Sequence, residues 1–289
     1  MLIDGKAIAE EIQKELKLFL DKQKGPKPCL AVIIVGDHPP SLIYVNRKTQ
    51  ACAEIGIESI RIALPSDISE EMLIAEIEKL NQNKKVNGIL LQLPLPPQIN
   101  PINILNHISP EKDVDGLHPV NVGKMLIGDK NAFFPCTPHG IKVLLERSNV
   151  DVAGKHVLVL GRSNLVGKPM AAILMQNAPG ANATVTIAHS RTLNIKNLCL
   201  TADIIIAAIG HPKFVTADMV REGTVIIDVG INKIADASQK NGYKIVGDVD
   251  FENVKDKCSL ITPVPGGVGP MTIAMLLSNT VKSYRRSHP

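Results

Sequence analysis

His156-Val157-Leu158-Val159-Leu160-Gly161-Arg162-Ser163-Asn164-Leu165-Val166-Gly167-Lys168-Pro169 joins an apolar run to a glycine-containing turn and the start of a second apolar segment. An unbroken run of Val and Leu reads as a strand buried on both faces. The turn is G-x-S-x-x-V-G-x-P rather than G-x-G-x-x-G. Strand, glycine turn and helix together can hold a pyrophosphate. Glycine lets backbone N–H groups close on the anion, and the helix N-terminus adds a partial positive charge. Taken alone, the turn also fits an ordinary βα loop. Its place between a buried strand and a helix favours the phosphate reading.

The strand that follows, Ala183 to Ala188, ends in His189-Ser190-Arg191-Thr192. In dinucleotide folds an acid at about this place, roughly 20 residues past the glycines, takes the ribose hydroxyls of NAD, whereas a basic residue suits the extra phosphate of NADP. No acid stands at this strand end. Ser190 can donate a hydrogen bond to a phosphate oxygen, and Arg162 or Arg191 can pair with it electrostatically. The pattern favours NADP over NAD; a polar strand end facing solvent is the plain alternative.

Outward from this turn the chain alternates short β-branched runs with amphipathic segments. Further strands are expected at Ile204 to Ile209, Val225 to Val229 and Lys244 to Val246, with a helix from Pro169 to Asn177. The first half repeats the rhythm. A helix over 5–22 carries Ile8, Ile12 and Leu16 on one stripe; strands follow at 30–35, 59–64 and 88–93. Helices are expected at 41–55, with Ser41 as its N-cap, and at 69–81. Such alternation implies parallel sheets with right-handed crossovers. The segment 110–140 breaks it and reads as loop and connecting helix, with a long helix running from Thr137-Pro138 to Arg147.

At ~100–200 residues per domain, 289 residues make two domains. With no Trp, three Tyr and five Phe, the cores must be built from Ile, Val, Leu and Ala, which suits buried parallel strands. A net charge of +4 fits a small anionic ligand. No Lys/Arg cluster is interleaved with aromatics, so a nucleic-acid partner is not expected. Cys29, Cys52, Cys136, Cys199 and Cys258 form no paired spacing and read as free thiols of a reducing compartment. The N-terminus lacks an apolar signal core, and no run reaches the ~20 apolar residues of a membrane span. A cytoplasmic location and no membrane partner are expected.

Tyr44 and Lys48 lie four residues apart on an expected helix and so share a face. Spacing alone favours a solvated lysine beside a half-buried tyrosine; the sharper reading is a lysine that moves protons. Gln92 closes the strand Ile89-Leu90-Leu91 before a proline-rich turn. Open α/β sheets bind ligands at such carboxyl strand ends. The amide can orient a substrate or a lysine, or simply cap a loop. Asp113 and Asp115 are open to reading as metal ligands, acceptors for a heterocycle or turn residues. No His or Cys with ligand spacing accompanies them, and no metal site is expected.

Several further segments follow in order: Val35-Gly36 with Ser41-x-x-Tyr44-Val45-x-x-Lys48; Gly88-Ile89-Leu90-Leu91-Gln92-Leu93-Pro94-Leu95-Pro96; Pro110-Glu111-Lys112-Asp113-Val114-Asp115-Gly116; and Pro135-Cys136-Thr137-Pro138. The Gly161–Pro169 turn, Asp228-Val229-Gly230-Ile231-Asn232, Gly247-Asp248-Val249 and Pro263 to Thr272 complete the series. Across essentially the whole chain these segments closely resemble the bifunctional methylenetetrahydrofolate dehydrogenase/methenyltetrahydrofolate cyclohydrolases. The resemblance implies a two-domain α/β fold with a cleft between the domains. Residues 1–136 would be a three-layer α/β catalytic, folate-binding domain, on which a final helix over 270–286 packs back. Residues 137–269 would be a Rossmann-type NADP-binding domain.

The resemblance further implies oxidation of 5,10-methylenetetrahydrofolate with NADP, then hydrolysis to 10-formyltetrahydrofolate, in a homodimer. Lys48 would transfer protons, Gln92 would hold it, and Tyr44 would stack on the folate's rings. Asp115 would accept pterin N–H groups, and Pro265 and Gly266 would bring backbone to the substrate. Gly161, Arg162, Ser163, Ser190, Arg191 and Ile231 would line the cofactor. One departure is Gln50, where many members carry a second lysine. Three alternatives compete: a member with one activity only, a non-catalytic dinucleotide sensor, and an NADP-dependent dehydrogenase for another anionic substrate.

Overall fold

In the computed structural model, which describes residues 1–239 and 242–288, strands and helices alternate along most of the chain. The order is α1 (Gly5–Leu20), β1 (Cys29–Val35), α2 (Pro39–Ile55), β2 (Glu58–Leu64), α3 (Glu70–Gln82), β3 (Gly88–Leu91), α4 (Pro101–His107), α5 (Pro119–Leu126) and α6 (Cys136–Arg147). Then come β4 (His156–Leu160), α7 (Gly167–Leu174), β5 (Thr184–Ala188), α8 (Ile195–Thr201), β6 (Ile204–Ala207), β7 (Val225–Asp228), β8 (Asn232–Ala235), β9 (Tyr243–Val246), α9 (Phe251–Val254), β10 (Leu260–Ile261) and α10 (Val268–Ser287). Two units emerge. One comprises Met1–Ala9 with Thr137–Thr272, the other Glu10–Cys136 with Ile273–Pro289.

The second of these units is built on a three-stranded parallel sheet in the order β2-β1-β3. Every residue of β1 is buried, as expected of a central strand whose sequence is apolar on both faces. Cys29, Ala31, Ile33 and Val35 belong to a core with Leu73, Ile77 and Leu80 of α3 and Ile104 of α4. The intervening Leu30, Val32 and Ile34 are equally buried and point to the opposite face. From β1 the chain steps to one side, then returns past β1 to β3. Right-handed crossovers therefore put α2 and α3 on opposite faces, giving three layers. Residues of α10 satisfy carbonyls in this unit: Asn279 donates to Val114 O and Phe134 O at 2.8 and 3.1 Å, and Ser283 to Asn87 O and Glu111 O at 2.6 and 2.9 Å.

The other unit has a five-stranded parallel sheet in the order β10-β7-β6-β4-β5. A core of Leu158, Leu160, Ile205, Ala207, Ile226 and Val254, among others, lies against it. The strand order reverses at β4: β5 lies on one side, β6 and its successors on the other. That reversal puts a crevice outside the carboxyl ends of β4 and β6.

Several expectations need correction. Ser41 does not cap α2. The helix begins two residues earlier, with Pro39 and Pro40 in its first turn and His38 at the N-cap; proline's fixed φ suits that place. Ser41 is buried instead and shares a 3.1 Å hydrogen bond with His38 Nδ1. The helix expected over 169–177 runs from Gly167 to Leu174. The strand at β9 is one arm of an antiparallel hairpin whose other arm, β8, was not foreseen. Ser69, by contrast, is the N-cap of α3, accepting from Met72 N at 3.3 Å.

Candidate active site

Lys48 stands on α2, and Gln92 directly follows β3. The end of β3 stays in the ladder, since Gln92 N donates to Ile33 O at 2.9 Å. Its side chain is fixed at both ends: Nε2 donates to Leu93 O at 2.6 Å, and Oε1 accepts from Lys48 Nζ at 3.0 Å. A half-buried ammonium is thereby held on a neutral acceptor, which leaves its other protons free to face a ligand. Tyr44 lies one turn before Lys48 on the same helix, also half-buried. Gln50 is exposed and donates to Glu54 Oε1 at 2.9 Å, one turn along α2.

Asp113 and Asp115 have different tasks. Asp113 is fully buried. Its carboxylate accepts from Leu117 N at 3.1 Å, His118 N at 2.9 Å and Asn121 Nδ2 at 2.8 Å. Burial pushes its pKa up, against the pull of these hydrogen bonds. Asp113 is thus a turn residue that shapes the segment carrying Asp115. Asp115 is partly exposed. It acts, after burial itself, to raise the Cys136 thiol far above its ordinary pKa, while the charge of Lys48 pulls the same thiol down. Lys48 and Asp115 therefore share one neighbourhood, with the Cys136 thiol in the field of both. Cys136 itself donates to Val114 O at 3.3 Å. Among the described residues no group of His, Cys, Asp and Glu has the arrangement of a metal site.

In the unit with the five-stranded sheet, the turn after β4 opens with Gly161 at φ +116°, a conformation open only to glycine. A Cβ there would lie 2.2 Å from Ala208 O, in the loop after β6. The two loops at the strand-order reversal thus touch at backbone level. Ser163 Oγ accepts from Val166 N and Gly167 N at 3.1 and 3.4 Å, so it holds the first amides of α7 in place. Lys168 Nζ donates to Asn164 Oδ1 at 2.7 Å across the same turn. Arg162 and Ser163 are exposed. After β5, His189 N donates to Thr192 Oγ1 at 2.9 Å, which folds the turn carrying Ser190 and Arg191, both exposed. Ile231, after β7, is also exposed. Pro265 follows a cis peptide bond, and Gly266 has φ +109°. Exposed basic and hydroxyl groups beside a glycine turn at the carboxyl ends of parallel strands fit a phosphorylated dinucleotide.

Sequence reading missed two residues here. Asp228 and Asp248 are buried in contact with each other at the carboxyl edge of this sheet. Both stand in segments that carry the family resemblance, Asp228-Val229-Gly230-Ile231-Asn232 and Gly247-Asp248-Val249, but nothing in the sequence pairs them.

Comparison with known proteins accords with this geometry. Residues 3–115 match the family described as tetrahydrofolate dehydrogenase/cyclohydrolase, catalytic domain, and residues 135–288 its NAD(P)-binding domain. The chain is 66% identical over 287 residues to the bifunctional protein FolD of Protochlamydia amoebophila, covering 99% of this chain and 98% of that protein. Among solved structures, the bifunctional FolD of Campylobacter jejuni superposes with a TM-score of 0.93 at 48% identity, covering 99% of both chains. The Trypanosoma brucei enzyme, crystallised with NADP cofactor and an inhibitor, gives 0.93 at 41% identity, covering 100% of this chain and 98% of that one. With both halves matched and full-length relatives this similar, the chain belongs to the tetrahydrofolate dehydrogenase/cyclohydrolase family.

Proposed function

We propose that this protein oxidises 5,10-methylenetetrahydrofolate with NADP and hydrolyses the 5,10-methenyl product to 10-formyltetrahydrofolate. The observation that carries this reading is the 3.0 Å bond from Lys48 to Gln92, which holds a protonatable group at a parallel strand end in the neighbourhood of Asp115. Bifunctional names and a relative complexed with NADP support it.

The chemistry NADP supplies when bound is acceptance of a hydride from the carbon bridging two folate nitrogens. Loss of that hydride leaves a delocalised amidinium cation, so the chain's task in this step is alignment. Gly161, Arg162, Ser163, Ser190, Arg191 and Ile231 would hold the dinucleotide, with Ser190 and Arg162 at its extra phosphate. Tyr44 would stack on the folate rings, Asp115 would accept pterin N–H groups, and Pro265 and Gly266 would meet the ligand with backbone. Hydrolysis adds water to the cationic carbon and breaks one C–N bond. Lys48 Nζ can take a proton from that water when neutral and give one to the departing nitrogen when charged. Gln92 keeps the amine aimed.

On this reading, residues 1–136 with the helix over 270–286 serve the folate, and residues 137–269 serve the dinucleotide. The protein would act as a cytoplasmic homodimer. The family resemblance supports the dimer. Among the described residues no helix is long and apolar enough to cross a membrane, and the five cysteines are free and buried. The test is spectrophotometric. Purified protein with methylenetetrahydrofolate and NADP should generate absorbance from both NADPH and the methenyl compound. Absence of the NADPH signal would refute the dehydrogenase, and stable methenyl absorbance would refute the hydrolase.

A further inference from the structure

Two carboxylates lie back to back at the carboxyl edge of the five-stranded sheet, and both are buried: Asp228 is 2% exposed and Asp248 0%. Their hydrogen-bond partners interlock. Asp248 Oδ2 accepts from Ile209 N at 2.7 Å and Gly210 N at 2.9 Å, in the loop after β6. Asp248 Oδ1 accepts from Asn232 Nδ2 at 2.8 Å, at the start of β8. Asp228 Oδ1 accepts from Gly230 N at 3.0 Å and from Asp248 N at 2.8 Å, and Oδ2 from Val249 N at 3.0 Å. Every one of these donors is a neutral N–H. The glycines are reciprocal: a Cβ on Gly230 would lie 2.3 Å from Asp248 Oδ1, and a Cβ on Gly247 1.8 Å from Asp228 Oδ2.

Two like charges in one dry place oppose folding. Burial raises Asp228 to about 6, with Asp248 adding to the rise. A sheet edge needing only stability would be better served by apolar side chains. What the carboxylates accomplish is geometric. They join three loops: 208–210 after β6, 229–232 leading into β8, and 247–249 leaving β9. The β8–β9 ladder already pairs Asn232 with Val246, and the carboxylates tie both flanks of that hairpin to each other and to 208–210. The first of these loops touches the Gly161 turn at Ala208, at the strand-order reversal. The second carries Ile231.

We infer that Asp248 is a positioning residue for dinucleotide binding: it sets the backbone of Ile209–Gly210 and the Gly230–Asn232 segment against the Gly161 turn, and Asp228 anchors it from behind. The inference rests on the dinucleotide reading of this unit given above.

The test uses the full-length enzyme. NADP affinity is measured by titration calorimetry, and hydrolysis of supplied 5,10-methenyltetrahydrofolate is measured without NADP. Asp248→Ala should weaken NADP on the order of 30-fold, because a buried acceptor of three N–H groups is lost. Hydrolysis, which needs no dinucleotide, should stay within about twofold of wild type. Parallel loss of both would show a general folding role and overturn the inference. Should Asp248→Ala fail to fold, a polarity exchange decides. Asp248→Asn and Asn232→Asp should each weaken NADP, and the double variant should recover it, since amide and carboxylate swap ends of one bond while the residue at 248 still accepts from Ile209 and Gly210. A double variant no tighter than either single one overturns the inference. Wild-type protein that binds no NADP overturns the dinucleotide reading and this inference with it. Tight wild-type binding with unchanged affinity in Asp248→Ala overturns this inference alone.

Discussion

The three-stranded and five-stranded sheets present chemistry in opposite ways. At β3 and α2 the working groups are side-chain atoms, Lys48 Nζ and Gln92 Oε1, each carried by regular structure. Around β4, β6 and β7 a glycine turn offers backbone groups on loops, and side chains hold those loops. A site made of side chains fails where one named atom is removed. A site made of backbone fails where a supporting residue lets the loop move. Sensitive positions should therefore coincide with the chemistry in the first case and lie behind it in the second.

The largest expected effect is at Lys48. Lys48→Ala should slow hydrolysis of supplied methenyltetrahydrofolate by about 10³-fold, within the range of a lost general acid–base. A wild-type decay of methenyl absorbance would remove Lys48 from the mechanism. Next comes the double variant Ser190→Ala with Arg162→Ala. It should weaken NADP by on the order of 100-fold through lost charge-assisted bonds, and NAD by only a few-fold. Equal losses, read as KM ratios, would refute the phosphate assignment.

Asp113→Asn sharpens the contrast, since it places a supporting residue inside the side-chain site. Its carboxylate accepts from three N–H groups. Disturbing one of them should raise KM for the folate by about tenfold and leave KM for NADP unchanged. A rise in both would make Asp113 a general stabiliser. The smallest effect concerns stability. Asp228 has a folded-state pKa of about 6, above its unfolded value, so its contribution is fully present below pH ~4 and is lost as pH rises through ~6. Asp228→Asn lacks that loss. The melting temperature of the variant relative to wild type should climb between pH 4 and 6, by at most about 3 kcal/mol in stability terms. A flat difference would mean that Asp228 does not titrate as described.

Much of this was readable from residue order. β1 was legible because its run is apolar on both faces, and the helix over 69–81 because its apolar residues recur at helical spacing. Ser41 has the chemistry of a cap, but Pro39 and Pro40 start the helix before it. Helices α4, α5 and α8 have seven, eight and seven residues, too few turns to show a period. Lys48 and Gln92 are 44 positions apart; helical spacing from Tyr44 points to the first and the carboxyl strand end to the second, and only the family resemblance joins them in one site. The roles of Asp113 and Asp115 could not be divided by spacing, because the division depends on which carboxylate the turn folds over. Asp228 and Asp248 stand in two of the segments that carry the resemblance, but their contact was not readable for a similar reason: they meet only once the fold brings their loops together.

The hydrogen bonds from α10 bear on how the chain is made. Asn279 and Ser283 satisfy carbonyls at Asn87, Glu111, Val114 and Phe134, in a unit whose sheet leaves the ribosome first. Synthesis proceeds from the N-terminus at ~5–20 residues per second. These carbonyls must therefore wait, with their surroundings unfinished, while the entire five-stranded sheet is translated. The unit whose sheet is made first is completed last. A nascent chain stalled before α10 would expose the apolar residues that Met275, Leu276 and Val281 later join in the buried interior, and would be a natural client for a chaperone.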